Sequence, residues 1–297
     1  MFFSKSNNST TSDKFLVIAI ALLLLPGCAV SISEAEIFRP NQEHRREGGS
    51  SLALDGEDQL PNSTSIHHER IDTKIGKLAV TFVNTKSDRL IVHCYGNASD
   101  RKSSGVRRIR ELQPYANLLL FDYPGYGDSE GLPNAAQLEE AAQAVARYAV
   151  ATGAKQIIAW GQSMGGFVCA RVAHHLDERL TAVVFETTAQ NAEAVAQSWK
   201  PWYAGPFVRI NISDGLGSFD NVEALASFRG HVLVLGAGED QVLDVSLSRE
   251  LTRNLIDAGI NTQFQEFDDA THMNVPQQPD FESVVAAFLK EATESQN

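Results

Sequence analysis

Residues 157–167 read IIAWGQSMGGF, and this stretch decides the fold. A short apolar run is followed by the pattern Gly-x-Ser-x-Gly and by small residues that suit the start of a helix. Gly161 and Gly165 leave room for a strand and a helix to pass closely around a tight turn. Such a turn exposes the hydroxyl of Ser163 at the sheet edge, where the helix dipole favours negative charge. We therefore expect a strand, a sharp turn and a helix, with Ser163 as the candidate nucleophile.

From about residue 71 onward, strand and helix patterns alternate along the chain. This alternation is typical of a mostly parallel sheet with helices on both faces. The predicted strands are residues 77–83, 89–94, 118–121, 155–160, 180–186, 231–236 and 262–267. The predicted helices are residues 134–150, the segment that follows Ser163 and ends near residue 176, and residues 245–258 and 281–292. We find no internal repeat and no second core, so residues 67–297 are predicted to form one α/β domain.

Two later loops contain the other candidate catalytic side chains. Asp240 lies just past the carboxyl end of a predicted strand, where an open parallel sheet presents functional groups. His272 lies in the loop between the last strand and the last helix. The order Ser163, Asp240, His272 predicts a catalytic triad in which His272 is the base and Asp240 orients its ring. Glu239 and Asp244 remain alternative acids, and Asp240 could instead serve only as an acid at a helix N-terminus.

Several segments together resemble the α/β-hydrolase superfamily over about residues 71–297. They are residues 95–100 (YGNASD), 121–131 (FDYPGYGDSEG), 161–166 and 219–221, and the loops of Asp240 and His272. The chain is most similar to the branch with a His-Gly-Asn motif, which includes protein depalmitoylases and lipid esterases. The resemblance implies the α/β-hydrolase fold, with a mostly parallel central sheet, and a serine nucleophile that forms an acyl-enzyme.

The same resemblance implies an oxyanion hole made of two backbone amides. In that branch they belong to the residue after the nucleophile and the residue after His-Gly, which correspond here to Met164 and Asn97. Tyr95 stands where the motif has histidine. Because a backbone amide does not depend on that side chain, the hole is expected to persist with a changed shape. Residues 125–127 are interpreted as a structural turn near the site.

About 44 residues separate the strand that ends near residue 186 from the next one, which is too many for a simple crossover. The resemblance implies a small cap insertion over about residues 187–230. Aromatic residues clustered there could line an apolar acyl pocket. The candidates for this pocket are Tyr95, Trp199, Trp202, Tyr203 and Phe207. The alternative is that a cap helix packs these aromatics against its own domain.

Composition excludes some partners. The 297 residues carry a formal net charge of −12, and 43% of them are hydrophobic, which is ample for a core. No basic run provides a footprint for nucleic acid. Anionic headgroups would repel the folded body, so membrane attachment would need another cause. The sequence predicts no metal site and no cofactor, and it leaves the oligomeric state open, with a monomer expected.

The N-terminus offers a cause for membrane attachment. Residues 15–25 are eleven consecutive apolar residues, too few to span a bilayer but suited to a secretory signal. Residues 25–28, LPGC, resemble a bacterial lipobox, which predicts a lipoprotein signal peptide over residues 1–27 and lipidation of Cys28. An ordinary signal peptide with a coincidental cysteine is the alternative. Residues 28–66 are polar without a period and are predicted to be a disordered tether.

Two further expectations follow from these residues. Ala29 is not a retention signal, so a bacterial cell-envelope location is expected, at the outer membrane facing the periplasm if the source is Gram-negative. Cys94 and Cys169 are interpreted as small buried residues, although the sequence alone leaves a bridge between them open.

These features together predict a membrane-anchored serine hydrolase that cleaves carboxylic esters or thioesters of a small-molecule or acylated substrate. A peptidase or lactonase on the same scaffold is an alternative. A catalytically silent, surface-anchored binding module is the alternative from another class.

Overall fold

The computed structural model describes residues 28–41, 51–61, 64–176, 178–200 and 208–294. In these ranges the strands are β1 (Cys28–Ile32), β2 (Ser65–Thr73), β3 (Gly76–Asn84), β4 (Arg89–Cys94), β5 (Asn117–Phe121), β6 (Gln156–Gln162), β7 (Leu180–Glu186), β8 (Val208–Ile212), β9 (His231–Ala237) and β10 (Asn261–Phe267). The α-helices are α1 (Glu34–Ile37), α2 (Arg101–Leu112), α3 (Ala135–Ala151), α4 (Gly165–His174), α5 (Ala192–Ser198), α6 (Asp214–Gly217), α7 (Asn221–Ala224), α8 (Val245–Asp257) and α9 (Phe281–Glu294).

Eight of these strands form one sheet in the order β10-β9-β7-β6-β4-β5-β3-β2. All pairs from β10 to β5 are parallel, whereas β3 pairs antiparallel with both β5 and β2. β6, which leads to Ser163, lies near the centre between β4 and β7, and its residues after Gln156 are all buried. The predicted mostly parallel sheet is therefore confirmed, and the serine follows one of its central strands.

Helices cover both faces of the sheet, and each face has its own hydrophobic core. Leu138 of α3, Val168 of α4 and Leu251 of α8 are fully buried on one face. Ile109 of α2 and Phe288 of α9 are buried on the other. Strands enclosed on both faces read as continuous apolar runs, which is why the sequence locates them well. The ends of the predicted strands and helices agree with the structure to within two residues.

The sequence analysis missed β2 and α2. β2 reads SIHHERIDT and is an edge strand, most of whose residues are only half-buried, so it lacks a clear apolar alternation. α2 is rich in arginine, yet Arg101 and Arg108 are among the largest fully buried side chains. Arg101 pairs with Asp128 at 2.9 Å, and Arg108 pairs with Glu186 and Glu111, both at 3.0 Å. The burial of these two arginines thus depends on ion pairs with residues distant in the sequence. A helix buried in this way cannot be predicted from hydrophobic periodicity.

The segment between β7 and β9, residues 187–230, is called the cap segment here. Its described part contains α5, β8, α6 and α7, and β8 pairs in parallel with β1 as a separate two-stranded sheet. The N-terminal strand β1 is thereby joined to a segment about 180 residues further along the chain.

The described parts of residues 28–66 are folded, which corrects the prediction of a disordered tether there. β1 and α1 belong to this segment, and β2 begins at Ser65. Phe38, Leu54 and Leu60 are all buried. These apolar residues are isolated in the sequence and pack against remote segments, so no local hydrophobic periodicity predicts their burial. The predicted signal peptide lies outside the described residues, as do residues 42–50. Within the described ranges, no helix combines the length and apolar character needed to cross a bilayer.

Burial of Phe38 distinguishes a folded N-terminal segment from a free one. Phe38 is 5% exposed and packs edge-on against Phe219, with ring centroids 5.9 Å apart. We expect Phe38→Ala to lower the free energy of unfolding by about 3 kcal/mol, as measured by urea denaturation. Leu132→Ala, at a side chain that is 57% exposed, is the control and should change it by about 0.5 kcal/mol or less. Equal stability of the two variants would mean that residues 28–41 do not pack on the body.

The Arg108–Glu186 pair generates a second prediction on stability. Arg108→Met leaves the buried Glu186 carboxylate without its cation and should cost about 3–5 kcal/mol of unfolding free energy. The double variant Arg108→Met/Glu186→Met removes both charges and should be more stable than the single variant. Arg110→Met, on the exposed side of the same helix, is the matched control. Urea denaturation measures all three, and strictly additive losses would contradict a coupled buried pair.

Candidate active site

Ser163 lies on the tight turn that the sequence predicts between β6 and α4. Its φ is 55°, a left-handed conformation that is strained for a residue other than glycine. Three hydrogen bonds hold the turn: Ser163 N donates to Glu186 O at 2.9 Å, and Gly166 N and Thr188 Oγ1 donate to Ser163 O at 2.9 and 2.7 Å. The surroundings thus over-determine the backbone of the serine.

The glycines around Ser163 are required by close backbone approach. A Cβ added at Gly165 would overlap the carbonyl oxygens of Cys94 and Tyr95, at the end of β4. A Cβ added at Gly161 would overlap the carbonyl of Gly165 and the side chain of Cys169. The helix α4 can therefore start directly beside β4 only because both positions lack a side chain.

His272 and Asp240 are in direct contact. His272 Nδ1 lies 2.7 Å from Asp240 Oδ2, and the two side chains are 11% and 2% exposed. The other carboxylate oxygen, Oδ1, accepts hydrogen bonds from Val242 N at 2.8 Å and Leu243 N at 2.9 Å. Two backbone donors therefore fix the orientation of the carboxylate. The carboxylate in turn fixes the ring of His272 and directs Nε2 away from Asp240.

The structure distinguishes Asp240 from the alternative acids. Asp244 caps the N-terminus of α8 and accepts a hydrogen bond from Ser246 N at 2.9 Å. Hydrogen bonding to Ser246 lowers the pKa of Asp244, as expected for a capping carboxylate. Glu239 is exposed. Among these three acids, only Asp240 has a hydrogen bond to His272 in the described residues.

His93 does not compete with His272 as a base. It is fully buried inside β4 and packs edge-on against Tyr95, with ring centroids 4.7 Å apart. Burial lowers the pKa of His93 well below its usual range, so its ring stays neutral. The two buried cysteines are also unsuited to nucleophilic roles: Cys94 and Cys169 are free thiols, and burial raises the pKa of Cys94.

Two side chains that the sequence analysis missed hold the backbone of His272. Gln162 Nε2 and Thr187 Oγ1 each approach His272 O at 3.4 Å. Gln162 directly precedes Ser163, and Thr187 directly follows β7, so the histidine loop lies against the serine turn at the carboxyl edge of the sheet. Thr187 has a φ of 49°, and its amide donates to Leu235 O at 2.9 Å. A polar Thr-Thr pair directly after a buried strand was the signal that could have identified it.

Of the two residues whose amides are implied for the oxyanion hole, Met164 directly follows Ser163, and Asn97 follows Gly96, which lies close to Ser163. Met164 precedes the first turn of α4, which has no side-chain cap. A Cβ added at Gly96, the residue before Asn97, would lie 3.4 Å from Ser163 Cβ. In the described part of the chain, neither the Met164 nor the Asn97 amide donates a hydrogen bond. Unpaired amides directed at a bound oxygen are what an oxyanion hole needs.

Side chains of residues 122–129, a segment that includes the predicted turn at residues 125–127, contact the loop of Tyr95 and Asn97. Tyr123 donates to the Tyr95 carbonyl at 2.6 Å, and Tyr126 donates to Asn97 Oδ1 at 3.0 Å. Asp122 accepts from the amides of Arg101 and Asp128 at 2.6 and 3.0 Å. Burial raises the pKa of Asp122 to about 6, although Arg101 opposes the shift.

The proposed acyl pocket receives no support from the residues that the structure describes. Tyr95 is 2% exposed and belongs to the core on the face that α2 and α9 cover. Trp199 follows α5 and is 49% exposed to solvent. These two side chains are a core residue and a surface residue, not two walls of one pocket. Trp202, Tyr203 and Phe207 lie outside the described residues.

A second buried network lies behind the serine turn. Glu186, the last residue of β7, accepts a hydrogen bond from Trp160 Nε1 at 2.9 Å in addition to its pairing with Arg108. Burial disfavours the charged form of Arg108, but the Glu186 and Glu111 carboxylates outweigh it and raise its pKa. Because the carbonyl of Glu186 accepts the Ser163 amide, this network fixes one support of the nucleophile turn. Within the described ranges, no group of three or more potential metal ligands is found.

Comparisons with known proteins agree with this fold. The alpha/beta hydrolase fold family matches residues 90–221. Among curated proteins, the lysophosphatidylserine lipase ABHD12 of Bos taurus is 28% identical over 183 residues, which are 56% of this chain and 45% of that protein. The corresponding protein of Danio rerio is 25% identical over 229 residues, 69% of this chain and 59% of that protein. The chain spans about half the length of the curated relatives it matches.

Solved structures share the fold at low sequence identity. An esterase of Pyrococcus furiosus superimposes with a TM-score of 0.63 at 18% identity, covering 78% of this chain and 92% of that chain. A thermophilic esterase of Thermogutta terrifontis superimposes with a TM-score of 0.56 at 19% identity, covering 76% and 99%. The chain therefore has the α/β-hydrolase fold.

Proposed function

We propose that this protein is a membrane-anchored serine hydrolase that cleaves carboxylic esters or thioesters with Ser163, His272 and Asp240. The observation that carries the proposal is the 2.7 Å contact between His272 Nδ1 and Asp240 Oδ2 at the sheet edge where Ser163 lies on its strained turn. A serine held in this way, beside a histidine oriented by a buried carboxylate, is the arrangement that acyl transfer requires.

The proposed reaction has two steps. His272 Nε2 removes the proton of Ser163 Oγ as that oxygen attacks the acyl carbon. The imidazolium then protonates the leaving oxygen or sulfur as its bond to the acyl carbon breaks, which releases the alcohol or thiol and leaves the acyl group on Ser163. Asp240 stabilises the imidazolium through Nδ1. The negative oxygen of the tetrahedral intermediate accepts hydrogen bonds from the amides of Met164 and Asn97. A water molecule, activated by the same histidine, hydrolyses the acyl-enzyme and restores Ser163.

The substrate class is proposed from the relatives and from the N-terminus. The names of the relatives describe a lysophosphatidylserine lipase and esterases, and both act on ester bonds. We propose an acylated substrate, with carboxylic ester or thioester as the cleaved bond. A lipid anchor on Cys28 would place the enzyme on a bacterial envelope membrane, where acylated molecules are concentrated.

Activity-based labelling tests the proposal directly. A fluorophosphonate probe should label the wild-type protein, and Ser163→Ala should abolish the labelling. A series of p-nitrophenyl esters and acyl thioesters of increasing chain length identifies the bond and the acyl group. A wild-type protein that is folded, unlabelled and inactive on the whole series would instead be a silent binding module.

The acid assignment makes a sharper prediction. Asp240→Asn should reduce kcat by about 10⁴-fold, because an amide at this position favours the wrong tautomer of His272. Asp244→Asn is the matched control: asparagine caps a helix about as well as aspartate, so activity and stability should stay near those of the wild type. Steady-state hydrolysis of p-nitrophenyl butyrate measures both. A severe loss in Asp244→Asn with a mild one in Asp240→Asn would reverse the assignment.

The anchor is tested separately from the chemistry. If Cys28 is lipidated, the wild-type protein should incorporate radioactive palmitate and sediment with membranes, and Cys28→Ser should do neither. Cys94→Ser and Cys169→Ser should still incorporate the label, because both side chains are buried in the fold. A wild-type protein that is soluble and free of label would rule out the anchor while leaving the hydrolase proposal intact.

A further inference from the structure

The N-terminal segment contacts the loop that carries Asn97. Asn97 Nδ2 donates to Ile37 O at 2.5 Å, and Arg39 N donates to Asn97 Oδ1 at 3.0 Å. The same oxygen accepts from Tyr126 Oη and from Ala98 N, both at 3.0 Å. The Asn97 side chain, at the tip of an exposed turn, is therefore bound on both its amide nitrogen and its oxygen. Its main partners lie 60 and 58 residues away in the sequence.

The groups that bind Asn97 are themselves held in place. Between them lies Phe38, which is buried against Phe219 of the cap segment. Ser33 and Glu36 form a capping box that begins α1, and Arg39 Nε donates to Glu36 O at 2.9 Å. Upstream, β1 is paired along its whole length with β8. The carbonyl of Ile37 and the amide of Arg39 are thus fixed points rather than parts of a loose tail.

The turn that they bind has a strained backbone. Ala98, next to Asn97, adopts a φ of 57°, which is strained for alanine. The Asn97 amide donates no hydrogen bond within the described residues, and the carbonyl of the same peptide group, Gly96 O, accepts only a long one, from Ser99 N at 3.3 Å. Apart from that long hydrogen bond, the side-chain contacts of Asn97 are the restraints nearest to its amide. A donor must lie about 2.7–3.1 Å from the developing oxyanion to be effective.

We propose that Ile37 and Arg39 are positioning residues for hydrolysis: their backbone groups hold Asn97 through its side chain and so direct its amide at the oxyanion. This inference rests on the proposed function, in which the Asn97 amide stabilises the tetrahedral intermediate. It gives the N-terminal segment a role in the chemistry that a signal or tether does not have. Substrate binding should depend on it little, because the oxyanion forms only after attack.

A proline substitution isolates the Arg39 amide. Arg39→Pro removes the N–H that Asn97 Oδ1 accepts, and Phe38, with φ −80° and ψ 105°, already has the extended conformation that precedes proline. Arg39→Ala loses the same side chain but keeps the N–H, so it is the reference. With p-nitrophenyl butyrate and the full chain, kcat of Arg39→Pro should be at least about tenfold below that of Arg39→Ala, with KM within about twofold. Equal kcat values would overturn the proposal.

Asn97→Ala tests the same contact from the other side. It should lower kcat by about tenfold to a hundredfold without a matching change in KM, and adding Arg39→Pro to it should cause little further loss. Unchanged kcat in Asn97→Ala, or multiplicative losses in the double variant, would overturn the proposal. If Arg39→Pro does not fold, as judged by circular dichroism, kcat of Asn97→Ala decides alone. A wild-type protein without hydrolysis or fluorophosphonate labelling would instead refute the proposed function.

Discussion

The structure depends most on the left-handed backbone of Ser163. A non-glycine residue in this conformation costs on the order of 1–3 kcal/mol and persists only where its surroundings over-determine it. Here those surroundings come from the end of β7: Glu186 O accepts a hydrogen bond from the serine amide, and Thr188, just past the same strand, donates one to the serine carbonyl. The strain is therefore balanced by contacts with the end of β7. Glu186 in turn is held by Arg108 and Trp160, so the charged core behind the sheet also supports the turn.

The parts of the fold that the sequence predicts well are those with local causes. Apolar runs such as β6 and β9 are buried on both faces of the sheet. Gly161 and Gly165 indicate a tight turn, because they flank Ser163 between a strand and a helix. Asp240 and His272 could be identified as candidates because each follows a strand at the carboxyl edge of a parallel sheet. The choice between Asp240 and Asp244, however, needed the contact itself, since both acids lie near the start of α8.

The parts that the sequence did not predict have causes far away in the chain. Arg101 and Arg108 look like surface residues of a polar helix until their partners Asp128 and Glu186 are known. Gln162 and Thr187 become relevant only when the loop of His272 lies on them. Phe38 is a single aromatic in a polar stretch, and its burial follows from a cap segment whose position no local pattern reveals. Tyr95 illustrates the reverse error, because its place in a resembled motif suggested a pocket and its side chain enters the core instead.

The folded N-terminal segment changes what a lipid anchor on Cys28 would do. A disordered tether of nearly forty residues would leave the orientation of the enzyme on the membrane undetermined. In the structure, the strand that begins at Cys28 is paired with β8 of the cap segment, and only a few residues later the chain binds Asn97. An acyl chain at Cys28 would therefore hold the cap segment close to the bilayer surface. The proposed attachment point and the proposed support of the oxyanion hole then belong to one short, ordered segment, so a force on the anchor would act near the loop of Asn97.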